Sequence, residues 1–199
     1  TLLRSIFYFQ EKVKQELFGN IIPVWVEYTI DWKNGGFWGR ITNDLKVISD
    51  APRSLILVSR ILWTFSALYR FRPAENFLKV ADHAYDYLKK KFIDPVYGGS
   101  FWMVDSNGKV IDDSKKIYGQ AFTIYALSEY YLATNKPEAL AHAQNIFMLI
   151  EKHNFDKKYN GYFETSRRDW SKPQDMRLSD KDMNAQKSMN THLHLLEAY

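Results

Sequence analysis

The side chains with chemical potential in this 199-residue chain sit in three short, otherwise apolar stretches. Arg60 lies in Ser59-Arg60-Ile61-Leu62-Trp63-Thr64-Phe65. Its five fixed donors suit sugar hydroxyls or a developing enolate oxygen, and equally suit a structural tie to a carboxylate or to helix-end carbonyls. The second stretch, Lys116-Ile117-Tyr118-Gly119-Gln120-Ala121-Phe122, places Tyr118 and Phe122 four residues apart, on one helical face. Such an aromatic pair serves either as core or as a platform for a sugar ring. The third, Lys187-Ser188-Met189-Asn190-Thr191-His192-Leu193-His194-Leu195, puts Asn190 and His194 on one face. His192 and His194 are about 200° apart around a helix, so they cannot both face one cavity. One is expected to be a satisfied core histidine, and the other is the group placed for proton transfer near neutral pH.

The remaining candidates are weaker. His83, His142 and His153 fall on amphipathic helices and are expected in solvent. A His-x-His pair is a poor metal spacing on a helix, and no cluster of Cys or acids accompanies it, so no metal is expected. Glycoside hydrolysis needs two carboxylates across the scissile bond. The apolar helices offer only Glu129 and Glu197 late in their runs and Asp113 and Asp182 near helix starts, which disfavours that chemistry.

The elements that hold these residues repeat. Asp31-Trp32-Lys33-Asn34-Gly35-Gly36-Phe37-Trp38 returns as Asp94-Pro95-Val96-Tyr97-Gly98-Gly99-Ser100-Phe101-Trp102 and as Asp156-Lys157-Lys158-Tyr159-Asn160-Gly161-Tyr162-Phe163. Gly-Gly and Asn-Gly tolerate positive φ and mark tight turns, and the aromatics that follow suit short strands. Amphipathic runs precede the turns, over Leu3–Glu27, Glu75–Phe92 and Pro137–His153. More uniformly apolar runs follow them, over Leu55–Phe71, Ile117–Ala133 and Asp182–Tyr199. A helix apolar on most sides is a buried one. The chain therefore reads as three copies of outer helix, glycine turn and inner helix, stacked side by side. This is an all-α arc; if such hairpins close into a ring as an (α/α)6 barrel, residues 1–199 are expected to form the N-terminal half of it. A ring of this kind needs six hairpins, and the sequence stops inside an apolar helical pattern, so a longer protein and an exposed apolar edge are expected.

Composition narrows the partners. Hydrophobic residues make up 46%, charged residues 25% and aromatics 16%, a globular balance with an aromatic excess. The net charge of +4 is spread among acids, with no basic stripe, so nucleic acid is not an expected partner. There is no cysteine, which fits a reducing, cytoplasmic setting, and no apolar run of membrane-spanning length.

The three stretches around Arg60, Tyr118–Glu129 and Ser188–Tyr199, with the turns at Gly35-Gly36-Phe37-Trp38-Gly39 and Tyr97-Gly98-Gly99-Ser100-Phe101-Trp102-Met103-Val104-Asp105, resemble consecutive motifs of the N-acylglucosamine 2-epimerase family, its cellobiose 2-epimerases in particular. The resemblance implies an (α/α)6 barrel, no cofactor, and inversion at C2 of the reducing-end glucose of cellobiose- or lactose-type disaccharides through a cis-enediolate. N-acylglucosamine 2-epimerase and mannose isomerase activity are the near alternatives, and an (α/α)6 glycoside hydrolase is the one from another class. It implies Arg60 and His194 as catalytic residues: Arg60 near O1 and O2, His194 assisting ring opening or stabilising the oxygen. Asn190, Tyr118, Phe122 and Asp182 are implied as substrate-binding. The family's two acid/base histidines lie on later helices, so residues 1–199 alone are expected to be inactive and to need the remaining half of the barrel, in a monomer or homodimer.

Overall fold

The computed structural model describes residues 2–199. Its helices are α1 (Leu2–Glu16), α2 (Ile22–Tyr28), α3 (Leu55–Phe71), α4 (Glu75–Lys91), α5 (Ile117–Thr134), α6 (Pro137–His153) and α7 (Met189–Ala198), with a π turn at Leu17–Ile21 joining α1 to α2. Helix α5 packs between α3 and α7 on one layer, while α4 backs α3 and α6 backs α5. This is the double layer of half an (α/α)6 barrel: inner α3, α5 and α7, outer α4 and α6, with α1 and α2 opening the first hairpin. Five two- or three-residue strands line the loops. β1 (Arg53–Ser54), β2 (Met103–Val104) and β3 (Val110–Asp112) pair antiparallel in that order, and β4 (Lys115–Lys116) pairs antiparallel with β5 (Thr165–Ser166).

The helices follow from the sequence. In α4 the buried residues Phe77, Val80, Ala81, Ala84 and Leu88 form one stripe, and Lys89, Lys90 and Lys91 complement the dipole at its C-terminus. Ser54 caps α3 by accepting from the Leu57 N–H, and Ser188 caps α7 by accepting from the Thr191 N–H. Asn135, at φ 56°, closes α5 in the left-handed conformation, and Pro137 opens α6.

Three expectations are corrected. The first outer helix is not continuous from Leu3 to Glu27. Gly19 and Asn20 are poor helix formers and Pro23 offers no N–H to the preceding turn, and the π turn falls at this place. The third inner helix begins at Met189, not Asp182. Asp182 accepts from the N–H and hydroxyl of Ser179 (2.8 and 2.7 Å), a local bond that holds the segment as a loop. The residue directly after each turn glycine forms a single bridge, Phe37 to Ile30, Ser100 to Ile93 and Tyr162 to Phe155, rather than a strand.

Each turn is built the same way. The backbone N–H of Asp31, Asp94 and Asp156 donates to the carbonyl of Gly36, Gly99 and Gly161 at 3.0, 2.9 and 2.8 Å. One carboxylate oxygen of each aspartate accepts N–H groups inside the turn. The other reaches a cation two residues ahead of the next inner helix: Arg53 for Asp31 (2.6 Å), Lys115 for Asp94 (3.0 Å) and Lys187 for Asp156 (2.6 Å). Glycine is required at position 36, where φ is +72° and a Cβ would stand 2.7 Å from the Tyr87 ring of the next outer helix.

A second tie sits five residues beyond the cation. Gln120 clamps Ser100, accepting from its N–H and donating to its carbonyl, both at 2.8 Å. At the equivalent place in the third hairpin, His192 Nε2 accepts from the Tyr162 N–H at 2.9 Å while Nδ1 donates to the Ser188 carbonyl at 2.6 Å. In the first hairpin the place is filled by Val58, which is buried in the apolar core.

Large apolar side chains are exposed at both ends of the arc. Phe7, Tyr8 and Phe9 project from α1, and a 440 Å³ groove runs beside α3 between Trp25, Ile56, Leu57 and Phe65. Phe147 and Tyr199 form the opposite edge, in edge-to-face contact at 4.7 Å. Among the described residues, no helix is long and apolar enough to cross a membrane.

Three outcomes follow. Asp94 and Lys115 are fully buried, and Asp94 also accepts from Arg168 Nε at 2.9 Å. Asp94→Ala strands a buried ammonium and is expected to cost about 3–5 kcal/mol. Lys115→Met leaves Asp94 its arginine and turn N–H partners and costs less than half as much; urea unfolding orders the two. On acidification, burial pushes the Asp94 carboxyl up, but Arg168, the Val96 N–H and Lys115 outweigh it and hold it far below the usual carboxylate range. Asp31 is lowered in the same balance, its burial offset by Asn34 and Arg53, and Asp156 is lowered chiefly by Lys187. The unfolded aspartates take protons first, at a pKa of about 3.9, so this stability is intact at higher pH and drains as pH falls below about 4. The urea midpoint is expected to change little between pH 7 and 5 and to drop steeply below pH 4. His192→Ala leaves the Tyr162 N–H unpaired and is expected to cost about 1–3 kcal/mol, with His194→Ala close to neutral in the same urea titrations.

Candidate functional site

The aspartate–cation ties place the inner helices in a common register. Counted from Arg53, Lys115 and Lys187, the third residue along is Ile56, Tyr118 or Asn190 and the seventh is Arg60, Phe122 or His194. The tenth is Trp63, Tyr125 or Glu197. Spacings of three, four and three follow one helical face. Three neighbouring inner helices therefore present these residues in rungs at matching heights.

The seventh-residue rung holds the central contacts. The Arg60 guanidinium lies over the Phe122 ring, 4.8 Å from its centroid, and its Nη2 donates a long bond of 3.4 Å to the Tyr118 hydroxyl. The His194 ring packs on Phe122 at 4.6 Å and meets Tyr118 edge-to-face at 4.8 Å. Tyr118 and Phe122 themselves touch at 5.0 Å. Arg60, Tyr118, Phe122 and His194, from three helices, thus form one cluster. Asn190 is exposed one turn before His194, on the same face of α7. Arg60 has no carboxylate partner among the described residues, so its donors are not committed to an ion pair.

Below this rung Trp63 and Tyr125 stack at 5.1 Å, nearly parallel at 9°. Burial, with the Glu197 and Glu129 carboxylates, pushes the Tyr125 hydroxyl up. Glu197 accepts from His194 Nδ1 at 2.8 Å, and Glu129 accepts from Arg70 at 2.7 Å. Helical periodicity within each stretch does not mark Trp63 or Tyr125, and Glu197 enters only as a carboxylate weighed for hydrolysis. The signal that finds them is the register shared across hairpins, which the cation positions supply.

Other candidates lie elsewhere. His192 is spent on the Tyr162 N–H and the Ser188 carbonyl, so of the two neighbouring histidines it is His194 that stands in the cluster. Asp182 is exposed in the loop before α7 and bonded to Ser179, outside the ring contacts that define the cluster. The expectation that the outer-helix histidines are solvated is corrected at two of them. His83 is half-buried, with Nε2 2.9 Å from the Gly36 carbonyl and its ring against Trp32 and Phe37. His153 stacks on Trp170 at 5.6 Å, and burial lowers its pKa. His142 is partly exposed, 3.9 Å from Glu138. Among the described residues, no group of three or more His, Cys, Asp or Glu is placed to hold a metal ion.

Comparison with known proteins gives the same arrangement a lineage. A family model described as N-acylglucosamine 2-epimerase matches residues 36–199. The cellobiose 2-epimerase of Bacteroides fragilis is 45% identical over 190 residues, covering 96% of this chain and 48% of that protein. The solved structure of cellobiose 2-epimerase from Spirochaeta thermophila superposes with a TM-score of 0.93 at 37% identity, over 100% of this chain and 49% of the other. That from Bacillus thermoamylovorans gives 0.91 at 41% identity, over 96% and 49%. The chain spans about half the length of the relatives it matches. The chain therefore belongs to the N-acylglucosamine 2-epimerase family.

Proposed function

We propose that the protein carrying this chain inverts C2 at the reducing end of a sugar, with cellobiose- and lactose-type disaccharides as its substrates. The observation that carries this reading is the convergence of Tyr118, Phe122, His194 and Arg60, whose charge is unpaired, above an aromatic floor of Trp63 and Tyr125.

The chemistry sets what the site must do. The C2 proton is acidic only when C1 is a carbonyl, so the pyranose opens first: the O1 proton is lost, the C1–O5 bond breaks, and O5 takes up a proton. His194 is the group placed to move that proton. Removal of the C2 proton then sends the electron pair through C1 toward O1, giving a cis-enediolate with its charge on the O1–O2 edge. Arg60 is suited to that edge, because planar parallel donors match two neighbouring oxygens. Tyr118 and Phe122 supply flat apolar surface for the sugar ring, and Asn190 a donor and acceptor for a hydroxyl. Return of a proton to the opposite face of C2 completes the inversion. In this reading the C2 acid and base are histidines on helices of the remaining half of the barrel, and residues 1–199 alone do not turn over.

A hydrolase of the same architecture needs two carboxylates free to flank a glycosidic bond. Here Glu129 is held by Arg70 and Glu197 by His194, which favours the epimerase.

Incubation of the full-length protein with cellobiose, mannose and N-acetylglucosamine, in D2O, tests the reading by product chromatography and NMR. Expected is the mannose-ended disaccharide from cellobiose, with deuterium at C2. Release of free glucose without a 2-epimer would overturn it. Arg60→Lys keeps the charge but loses the planar fork, and is expected to lower kcat on the order of 100-fold.

A further inference from the structure

Glu197 is the carboxylate that the scheme above leaves without a task. It lies one rung below His194, on the same helix and facing the same side, and its Oε2 is 2.8 Å from His194 Nδ1. An i,i+3 ion pair on an exposed helix is ordinarily a small electrostatic decoration. Two features set this one apart. The imidazole is not free to rotate, because Tyr118 meets it edge-on at 4.8 Å and Phe122 covers it at 4.6 Å. The carboxylate also shares its rung with the Trp63–Tyr125 stack, whose tyrosine feels its charge.

We propose that Glu197 is a positioning residue that fixes the tautomer of His194. The two aromatic rings set the plane of the imidazole, and the carboxylate sets which nitrogen carries hydrogen. With Nδ1–H donated to Glu197, the lone pair is left on Nε2, which has no hydrogen-bond partner among the described residues. Nε2 is then the acceptor for the hydroxyl proton lost when the sugar ring opens, and the neighbouring negative charge stabilises the imidazolium that forms. The proton count is unchanged by Glu197, which neither gains nor loses one. The pair acts among the other charged and titratable groups of the cluster: Arg60 from α3 and Tyr118, Tyr125 and Glu129 from α5.

His192 supplies the internal contrast. Its Nδ1 also donates, to the Ser188 carbonyl, but its Nε2 is consumed by the Tyr162 N–H. The same tautomer is fixed two residues away for a structural purpose, and at His194 for a nitrogen left open.

The role of Glu197 rests on the epimerase reading of His194, and the test separates the two. Histidine-selective 15N labelling of the full-length protein reads the tautomer of His194 without any turnover. The wild type is expected to show the Nδ1–H form, Glu197→Ala to shift toward Nε2–H, and Glu197→Gln, which keeps an acceptor, to restore Nδ1–H. In parallel, Glu197→Ala is expected to lower kcat for cellobiose roughly tenfold or more with KM within about twofold, and Glu197→Gln to recover part of that loss. An unchanged tautomer in Glu197→Ala overturns the proposal whatever the activity. A shifted tautomer with wild-type kcat overturns it as well, since the orientation would then be without consequence. Loss of kcat in Glu197→Ala with a proportional rise in KM and no recovery in Glu197→Gln marks a structural role and also overturns it.

Discussion

Everything the inner face presents depends on one contact made three times: the turn aspartate gripping a cation just ahead of the next inner helix. One carboxylate oxygen organises the turn and the other fixes where the helix starts. The pairs at Asp31–Arg53 and Asp94–Lys115 are buried almost completely. A buried ion pair contributes little net stability, because desolvation offsets most of the attraction, but breaking one is costly. Its value here is positional. A helix entering one residue early or late would rotate by about 100° and carry its share of the Arg60–Phe122–His194 face away from its neighbours.

That register explains why a cluster from three helices can exist. Arg60, Phe122 and His194 stand at the same count from their cations, so they arrive at the same height without direct bonding between their backbones. The hairpins are not equally protected. The third tie, Asp156–Lys187, is partly exposed, at the end of the arc where Phe147 and Tyr199 also show apolar surface. Helix α7 thus carries His194 on the least buried of the three supports.

The repeat, the outer and inner runs of helices and the three chemical stretches were legible in the sequence because each rests on local periodicity or on glycine turns. The start of α7 was not. Leu178–Lys187 has polar residues compatible with a helix, and only the side-chain bonds of Asp182 to Ser179 and of Asn184 to the Met176 N–H show that the chain stays a loop. The choice between His192 and His194 was also beyond periodicity, which gives the angle between two side chains but not the direction of the concavity. It needed the Tyr162 N–H, thirty residues away in sequence, to claim one of them. Trp63 and Tyr125 read as ordinary core until the cations align the helices. Arg53, Lys115 and Lys187 are unremarkable as isolated residues, and their kinship appears only once each is seen on its aspartate.

The chain contains its own contrast between an arginine committed to an ion pair and one that is not. Arg53 spends its guanidinium on the Asp31 carboxylate, the Gly35 carbonyl and the face of Tyr87, and almost none of it meets solvent. Arg60 rests on an aromatic face and a phenol oxygen, which hold the side chain in place without neutralising it. An aromatic face attracts a cation while consuming none of its in-plane donors. Phe122 also lies between Arg60 and His194, so the two groups are brought near each other without forming a bond that would satisfy either. A carboxylate in that position would neutralise the arginine and an aliphatic side chain would give its charge no attractive face. An aromatic ring is the side chain that locates both groups without consuming their hydrogen-bonding capacity, which is what the proposed sugar site requires.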